Sequence, residues 1–294
     1  MNKTKKNKTK KNKTKKNSKL TPCIICKKSN FEKWAKLDEF MARKCKNCGM
    51  ISINPLPEQY VLDEYYEGYF KDSKKDKKLW EPRKVSYEID KAWITKYVQR
   101  GNVLDIGSSG GQFLSIFEPS KWNRLGVEVD VDTADFAKKN FGVNVRVGDI
   151  MDLSFNKKFD LIIIRGVIEH FIDPISILKK CSTLLKKGGC LFITATPVSD
   201  SFAFEVYREK WRLFTPPAHL HFFTVSLLSK IVKKYGLELL DHHYQYQETP
   251  YANTQKDFKK IKNDLILFDK GLGKSVHTSP PFPGSMMTAV WKKI

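Results

Sequence analysis

The chain has 294 residues, of which 41% are hydrophobic and 12% are aromatic, enough apolar material for a core and enough to exclude a wholly disordered protein. Its formal net charge is +21, which indicates a basic molecule. No apolar run approaches the ~20 residues of a membrane span, and the amino terminus lacks the apolar region of a secretory signal. We therefore expect a cytoplasmic protein with no membrane span.

The first 19 residues repeat Asn-Lys-Thr-Lys-Lys three times and contain ten lysines but no acidic residue. After Met1, no apolar side chain occurs before Leu20, so this segment has nothing to bury and is predicted to be a disordered tail. Such a run of like charge is typical of a solvated tail. The alternative is that it binds RNA, anionic lipid or an acidic protein.

Residues 20–57 contain two Cys-x-x-Cys pairs separated by 18 residues. This spacing is typical of a tetrahedral zinc site whose four positions are all occupied by protein sulfur, which makes the metal structural. Four free thiols in a small core are the alternative. The predicted zinc ligands are Cys23, Cys26, Cys45 and Cys48.

Residues 58–98 are predicted to form a helical connector between the zinc unit and a larger domain. The charged stretch 71–78 interrupts this connector, and apolar residues at helical spacing predict a second helix over 82–98. Aromatic residues cluster in the first half of the connector, at Tyr60, Tyr65, Tyr66, Tyr69 and Phe70.

Residues 99–294 alternate short apolar runs with helical stretches, a pattern that predicts an α/β fold with a doubly wound, mainly parallel sheet. Helices are predicted over 133–141 and 175–185, the second ending at a glycine C-cap, and an irregular or helical insertion over 250–283. The predicted strands are 103–106, 125–129, 143–147, 159–164, 190–195, 236–246 and 286–291.

A glycine-rich turn follows the first strand of this domain and contains Asp105, Gly107, Ser109 and Gly111. A ligand at such a place meets unpaired backbone N–H groups and the positive end of a helix, and glycine lets the backbone approach closely. The Gly-x-Gly-x-x-Gly pattern of dinucleotide-binding proteins is not met, so pyrophosphate binding is disfavoured.

This turn resembles motif I of the class I S-adenosylmethionine (SAM)-dependent methyltransferases, Asp-x-Gly-x-Gly-x-Gly, with Ser109 in place of the middle glycine. The resemblance covers about residues 85–294 and implies a Rossmann-like fold. It also implies that the loop holds the methionine part of SAM, with the ammonium group at Asp105, the ribose hydroxyls at Glu128 and the adenine near Asp149. Arg165 either lines the same pocket or pairs with an acidic substrate.

The order of zinc unit, Asn-Pro-x-Pro segment, aromatic cluster and SAM domain resembles a bacterial-type group of methyltransferases associated with sugars of surface polysaccharides or glycosylated small molecules. This resemblance implies methyl transfer to a hydroxyl of a sugar or nucleotide-sugar in glycan biosynthesis. The alternative is an RNA methyltransferase that binds RNA through the basic tail and the zinc unit. Against it, no Asn/Asp-Pro-Pro-Tyr segment of the base amino methylases follows the fourth strand.

Methyl transfer to a hydroxyl requires removal of a proton, for which histidine is the usual base. The candidates are His170, which follows the fourth strand, and His219 and His221, which face the same side if the chain between them is extended. A hydrogen-bonded structural histidine is the alternative for each. We do not expect a catalytic cation, because Gly166 stands where the Glu-x-x-Glu-His segment of some methyltransferases has its first carboxylate.

Overall fold

The computed structural model describes residues 20–73 and 80–294, so the predictions for the lysine-rich tail lie outside the described residues. Within them, the strands are β1 (Phe31–Leu37), β2 (Phe40–Cys45), β3 (Ile51–Ile53), β4 (Gly101–Ile106), β5 (Trp122–Glu128), β6 (Val145–Val147), β7 (Phe159–Arg165), β8 (Leu185–Pro197), β9 (His221–Phe222), β10 (Leu237–His243) and β11 (Met286–Lys293). The α-helices are α1 (Gln59–Ser73), α2 (Trp80–Ile94), α3 (Gln112–Ser115), α4 (Val131–Phe141), α5 (Pro174–Leu184), α6 (Phe202–Tyr207), α7 (Val225–Lys233) and α8 (Thr254–Asp269). None of the helices in the described parts of the chain has both the length and the apolar character needed to cross a bilayer.

Seven strands form one large sheet in the order β10-β11-β8-β7-β4-β5-β6. The strands from β8 to β6 pair in parallel, and β11 and β10 add two antiparallel strands at one side. The predicted α/β, Rossmann-like, mainly parallel sheet is therefore confirmed. Because β4 has β5 on one side and β7 on the other, the chain reverses its winding at β4, and ligands of such sheets bind at the carboxyl ends of the strands beside this point.

Both faces of the large sheet are covered, which is why its central strands are apolar throughout. Ile162 of β7 lies in the cluster that also contains Leu178 of α5. The next residue, Ile163, points to the opposite face and lies in the cluster that contains Trp93 of α2 and Phe113 of α3. Because side chains alternate along a strand, β7 contributes to the cores on both faces of the sheet.

A smaller sheet, in the order β1-β2-β3-β9, contains the strands of the cysteine-rich region. Its last strand comes from the larger domain, and Ser52 of β3 lies opposite His221 of β9. The N–H of Ile53 also donates to the carbonyl of Leu220 at 2.8 Å. The predicted zinc unit is thus joined by backbone hydrogen bonds to the segment that carries two of the candidate histidines.

The end of α5 differs from the prediction of a glycine C-cap. The helix ends at Leu184, and its C-cap, Leu185, is already extended and paired with Phe159 of β7. Gly188 and Gly189 lie inside β8, where the register with β7 shifts. A Cβ on Gly189 would lie 3.0 Å from the carbonyl oxygens of Lys186 and Phe159, so this glycine permits close backbone approach within the sheet.

Candidate active site

The predicted cofactor residues lie at the carboxyl ends of three neighbouring strands. Asp105 is the second-last residue of β4, Glu128 ends β5, and Asp149 comes just after β6. Because β5 pairs with both β4 and β6, the structure brings these three carboxylates to one edge of the sheet. Asp149 is exposed there, and its Oδ1 accepts a hydrogen bond from the N–H of Met151 at 2.7 Å.

The loop after β4 requires the left-handed backbone that glycine adopts without strain. Gly107 has φ +72° and Gly111 has φ +74°, and a Cβ on Gly107 would lie 2.7 Å from Cγ2 of Val167. Ser109 also has a left-handed φ of +50°, which explains why motif I has a glycine at this place. The helix that follows, α3, has only four residues. The expected helix-end site for a carboxylate is therefore weak, since a helix dipole needs several aligned peptides.

Glu128 is positioned by the loop that it faces. Its Oε2 accepts a hydrogen bond from the N–H of Ser109 at 2.9 Å, and its Oε1 accepts one from the N–H of Val129 at 2.8 Å. Burial raises the pKa of Glu128, and these backbone donors oppose the shift. A third backbone N–H, that of Asp130, lies 3.3 Å from Oε1. A carboxylate has about four acceptor sites, so acceptor capacity remains for a ribose hydroxyl.

Asp105 is only 2% exposed, and its Oδ1 is buried with no hydrogen-bond partner among the described residues. Burial raises the pKa of Asp105 to about 8, while the positive charge of Arg165 opposes the shift and the charge of Glu128 adds to it. A buried carboxylate oxygen without a partner is costly. The site therefore fits a ligand that brings a positive charge or a donor, as the ammonium group of SAM does.

Arg165 ends β7 beside this pocket and is held on two sides. Its Nε donates to Oδ2 of Asp90 at 2.8 Å, and its guanidinium lies 4.6 Å from the ring centre of Tyr87 and 5.6 Å from that of Phe113. The ion pair joins the end of β7 to α2, a helix that the sequence motifs did not include.

A second group of polar side chains lies on the loops after β7 and before β9. The rings of His170 and His219 meet edge to face with centroids 4.9 Å apart. Tyr66 Oη lies 3.1 Å from Nδ1 of His170, and Nε2 of His170 lies 4.0 Å from Oε1 of Glu169. The structure thus brings two of the three candidate histidines together and adds Tyr66 and Glu169.

Burial favours the neutral form of both histidines. Burial, reinforced by the neighbouring His219, lowers the pKa of His170 to about 3. Burial lowers the pKa of His219 as well. Nδ1 of His219 lies 2.7 Å from the carbonyl oxygen of Leu213, which can only accept, so Nδ1 carries the proton. Nε2 of His219 then has a free lone pair and is chemically able to act as a base.

Similarity to known proteins agrees with this geometry. The sequence pattern of the family described as a methyltransferase domain matches residues 79–242, more than half of the chain. The chain belongs to this methyltransferase family. With the sheet order and the motif I loop described above, it is a class I SAM-dependent methyltransferase.

Named relatives include two ubiquinone biosynthesis O-methyltransferases. The one from Pelagibacter ubique is 28% identical over 72% of this chain and 85% of its own length. The one from Cereibacter sphaeroides is 31% identical over 47% of this chain, and the match spans only 61% of that enzyme. A solved SAM-dependent methyltransferase from Thermotoga maritima covers 77% of this chain and 98% of its own, at 19% identity and a TM-score of 0.52. That likeness concerns the fold.

In this methyltransferase, the structure does not bring His221 into the group of polar side chains. The residue is completely buried, Nδ1 lies 3.0 Å from Oγ of Ser52, and Nε2 lies 3.4 Å from the carbonyl oxygen of Ile172. Both ring nitrogens thus face partners inside the protein. His221 and His219 do not share a side, because β9 begins only at His221 and His219 belongs to the loop before it.

The four predicted zinc ligands do lie together. Sγ of Cys23 is 3.5 Å from Sγ of Cys48, Sγ of Cys26 is 3.5 Å from Sγ of Cys45, and all four sulfurs lie within 4.8 Å of one another. Tetrahedral zinc with Zn–S bonds of ~2.3 Å places its sulfurs ~3.8 Å apart. The donor set and its spacing therefore fit a structural zinc ion.

Sequence reasoning missed the roles of Asp90, Tyr66 and Glu169. The sequence does contain a signal for Asp90. It is a charged residue on the buried face of α2, between Tyr87 and Trp93, and a buried charge needs a partner. Tyr66 was noted only as one of a cluster of aromatic residues. Tyr69 and Phe70 of that cluster lie outside the described side chains.

The group formed by Glu169, His170 and His219 also has a spacing that suits a metal ion, because one ligand atom of each lies within 4.8 Å of the other two. The expectation that no cation binds here was based on Gly166 alone. The structure provides His219 from another segment of the chain, so the missing carboxylate does not by itself exclude a cation.

Proposed function

We propose that this methyltransferase transfers a methyl group from SAM to a hydroxyl of a small-molecule acceptor. The observation that carries the proposal is the pair His170–His219, in which a backbone carbonyl fixes the proton of His219 on Nδ1. The two relatives described above are named O-methyltransferases, which is consistent with a base that removes a hydroxyl proton.

The proposed roles of the pocket residues concern different parts of the cofactor. We propose that Glu128 accepts a hydrogen bond from a ribose hydroxyl, that Asp105 accepts one from the ammonium group, and that Asp149 lies near the adenine amino group. Gly107, Ser109 and Gly111 let the backbone of the loop approach the cofactor. Bound SAM supplies an electrophilic methyl group on a sulfonium.

His219 is proposed as the general base. Its Nε2 accepts the hydroxyl proton, while the Leu213 carbonyl holds the ring in the required tautomer. Burial disfavours the protonated ring, so the base is unprotonated and ready at neutral pH. His170 packs against this ring and contacts Tyr66, which keeps both imidazoles in place.

The acceptor is proposed to be a sugar or nucleotide-sugar, on the resemblance of the zinc unit and SAM domain to sugar-modifying methyltransferases. The named relatives act in ubiquinone biosynthesis, so a hydroxyl-bearing quinone precursor is the acceptor to be tested beside it. The RNA alternative depends on the lysine-rich tail, which lies outside the described residues, and nothing in the described residues favours it.

We also propose that the cysteine quartet holds a structural zinc ion and that the chain consists of a zinc unit (20–57), a helical connector (58–98) and a methyltransferase domain (99–294). Two observations support the zinc unit. The sulfurs converge, and left-handed φ angles of +60° at Lys27 and +79° at Gly49 follow the second cysteine of each pair.

The test is methyl transfer from isotope-labelled SAM to separate pools of nucleotide-sugars, quinone precursors and RNA. We expect labelling of a hydroxyl-bearing small molecule. The variant His219→Gln should lower kcat by about 10²- to 10⁴-fold, the range for loss of a general base, with little change in the affinity for S-adenosylhomocysteine (SAH). The exposed His242→Gln is the matched control and should behave as wild type. Labelling of RNA alone, or full activity in His219→Gln, would contradict the proposal.

A further inference from the structure

Asp90 is a buried carboxylate that collects three hydrogen bonds at the carboxyl edge of the large sheet. Its side chain is 1% exposed. It accepts from Nε of Arg165 at 2.8 Å, from Oγ1 of Thr194 at 2.9 Å and from Nε2 of Gln245 at 2.7 Å. These donors belong to β7, β8 and the segment after β10, so Asp90 is fixed from three directions.

Arg165 is the cation that this carboxylate holds. Its side chain is 21% exposed, and its guanidinium rests against the rings of Tyr87 and Phe113. Only Nε has a hydrogen-bond partner among the described residues. The terminal nitrogens therefore remain as donors, and a guanidinium presents such donors in a planar arrangement that matches a carboxylate.

The pocket beside Arg165 contains a carboxyl group. Asp105 has a buried Oδ1 without a partner in the described part of the chain, and it lies opposite Ile163 in the pairing of β4 with β7, two residues before Arg165. An ammonium group brought to Asp105 favours the ionised form of its carboxyl. The guanidinium and this carboxylate together are then complementary to the carboxylate and ammonium of an α-amino acid. Phe113, which contacts the guanidinium, lies in α3 directly after the motif I loop and so places Arg165 at the same end of the pocket.

A cation at this end would complement the cofactor. The amino-acid part of SAM carries a carboxylate, and the helix that directly follows the loop, α3, is a single turn. Its dipole is too small to hold a full negative charge by itself.

We infer that Arg165 binds the carboxylate of the amino-acid part of SAM and that Asp90 is a positioning residue that aims the guanidinium at it. The inference rests on the SAM pocket proposed above. An acidic acceptor has the same carboxylate chemistry, and the experiment is chosen to separate the two sources.

The test compares the binding of SAH with that of 5′-methylthioadenosine, a nucleoside that lacks the amino-acid carboxylate and ammonium, by titration calorimetry. Arg165→Gln should weaken SAH by about 10- to 100-fold, the range for a hydrogen-bonded charge, and change methylthioadenosine affinity by less than about threefold. Asp90→Asn keeps the shape of the buried side chain. It should also weaken SAH relative to methylthioadenosine, by a smaller factor than Arg165→Gln does. Arg165→Lys keeps the charge without the planar fork and should lie between wild type and Arg165→Gln.

Lys186→Gln is the matched control, because it removes one positive charge from the ion pair with Asp160 at the opposite edge of the sheet and should leave both affinities unchanged. Equal weakening of both ligands in Arg165→Gln would mean general damage to the pocket and would overturn the inference. Unchanged SAH affinity would also overturn it, and the carboxylate that Arg165 binds would then be that of an acidic acceptor. If the wild type binds neither nucleoside, the proposed SAM pocket itself fails, which is a distinct result.

Discussion

Gly107 and Gly142 share a left-handed backbone but differ in their surroundings. Their φ angles are +72° and +59°. A Cβ on Gly107 would lie 2.7 Å from Val167, whereas a Cβ on Gly142 would have no atom within 4 Å. An alanine would therefore strain the backbone at both positions, but of the two it would clash with a neighbouring side chain only at Gly107.

Gly107→Ala should consequently weaken SAH binding by at least tenfold, because Val167 or the loop must move to make room for the added methyl group. Gly142→Ala should lower the melting temperature, since a left-handed alanine costs about 1 kcal/mol, and leave SAH affinity unchanged. Calorimetry and thermal unfolding of both variants measure the two effects. The same SAH affinity in the two variants would argue against a cofactor-binding loop at Gly107.

The pH dependence of activity follows from the buried histidines. A general base acts in its unprotonated form, and burial lowers the pKa of His219 below its ordinary value. Full base function is thus present at neutral pH and is lost only as the pH falls through the lowered pKa. We expect kcat, measured at saturating SAM, to be flat near pH 7 and its acidic limb to lie below about 6.5, the ordinary histidine pKa. An acidic limb at pH 7 or above would exclude His219 as this base.

At the scale of elements, the smaller sheet connects the cysteine quartet to the proposed base. Cys45 ends β2, β2 pairs with β3, and β3 pairs with β9. The N–H of Ile53 donates to the carbonyl of Leu220, the residue that follows His219. Loss of the proposed zinc ion should therefore disturb the segment before β9 more than the loop after β4.

Cys45→Ser should release zinc, lower the melting temperature and reduce turnover more than it reduces SAH affinity. Cys190→Ala removes a buried cysteine outside the quartet and controls for simple destabilisation, since it should retain zinc. Metal analysis, thermal unfolding and steady-state kinetics measure these effects. A wild-type protein without zinc, or a Cys45→Ser variant with normal turnover, would contradict this connection.

Some helices and strands were predicted accurately from the sequence pattern, and others were not. The strands at 159–164 and 286–291 were predicted within one or two residues of β7 and β11, because a continuous apolar run bounded by polar residues has few alternatives. The end of α5 was misjudged. A Lys-Lys-Gly-Gly stretch favours a helix stop locally, but pairing of Leu185 with Phe159 extends β8 through that stretch.

At the scale of the whole molecule, the amino-acid sequence by itself determined the class of fold, the glycine-rich turn after β4 and the grouping of the four cysteines. These features depend on short spacings, namely the alternation of apolar runs, the positions of Gly107 and Gly111, and two Cys-x-x-Cys pairs. Residues so close along the chain have little choice of relative position.

Only the tertiary structure decided which distant side chains meet. It placed Asp90 of α2 in an ion pair with Arg165, Tyr66 of α1 against His170, and His221 inside the smaller sheet rather than beside His219. Each of these contacts joins residues 75 or more positions apart. Their geometry is set by the packing of helices and sheets on one another, and packing at such separations leaves no periodic trace in the sequence.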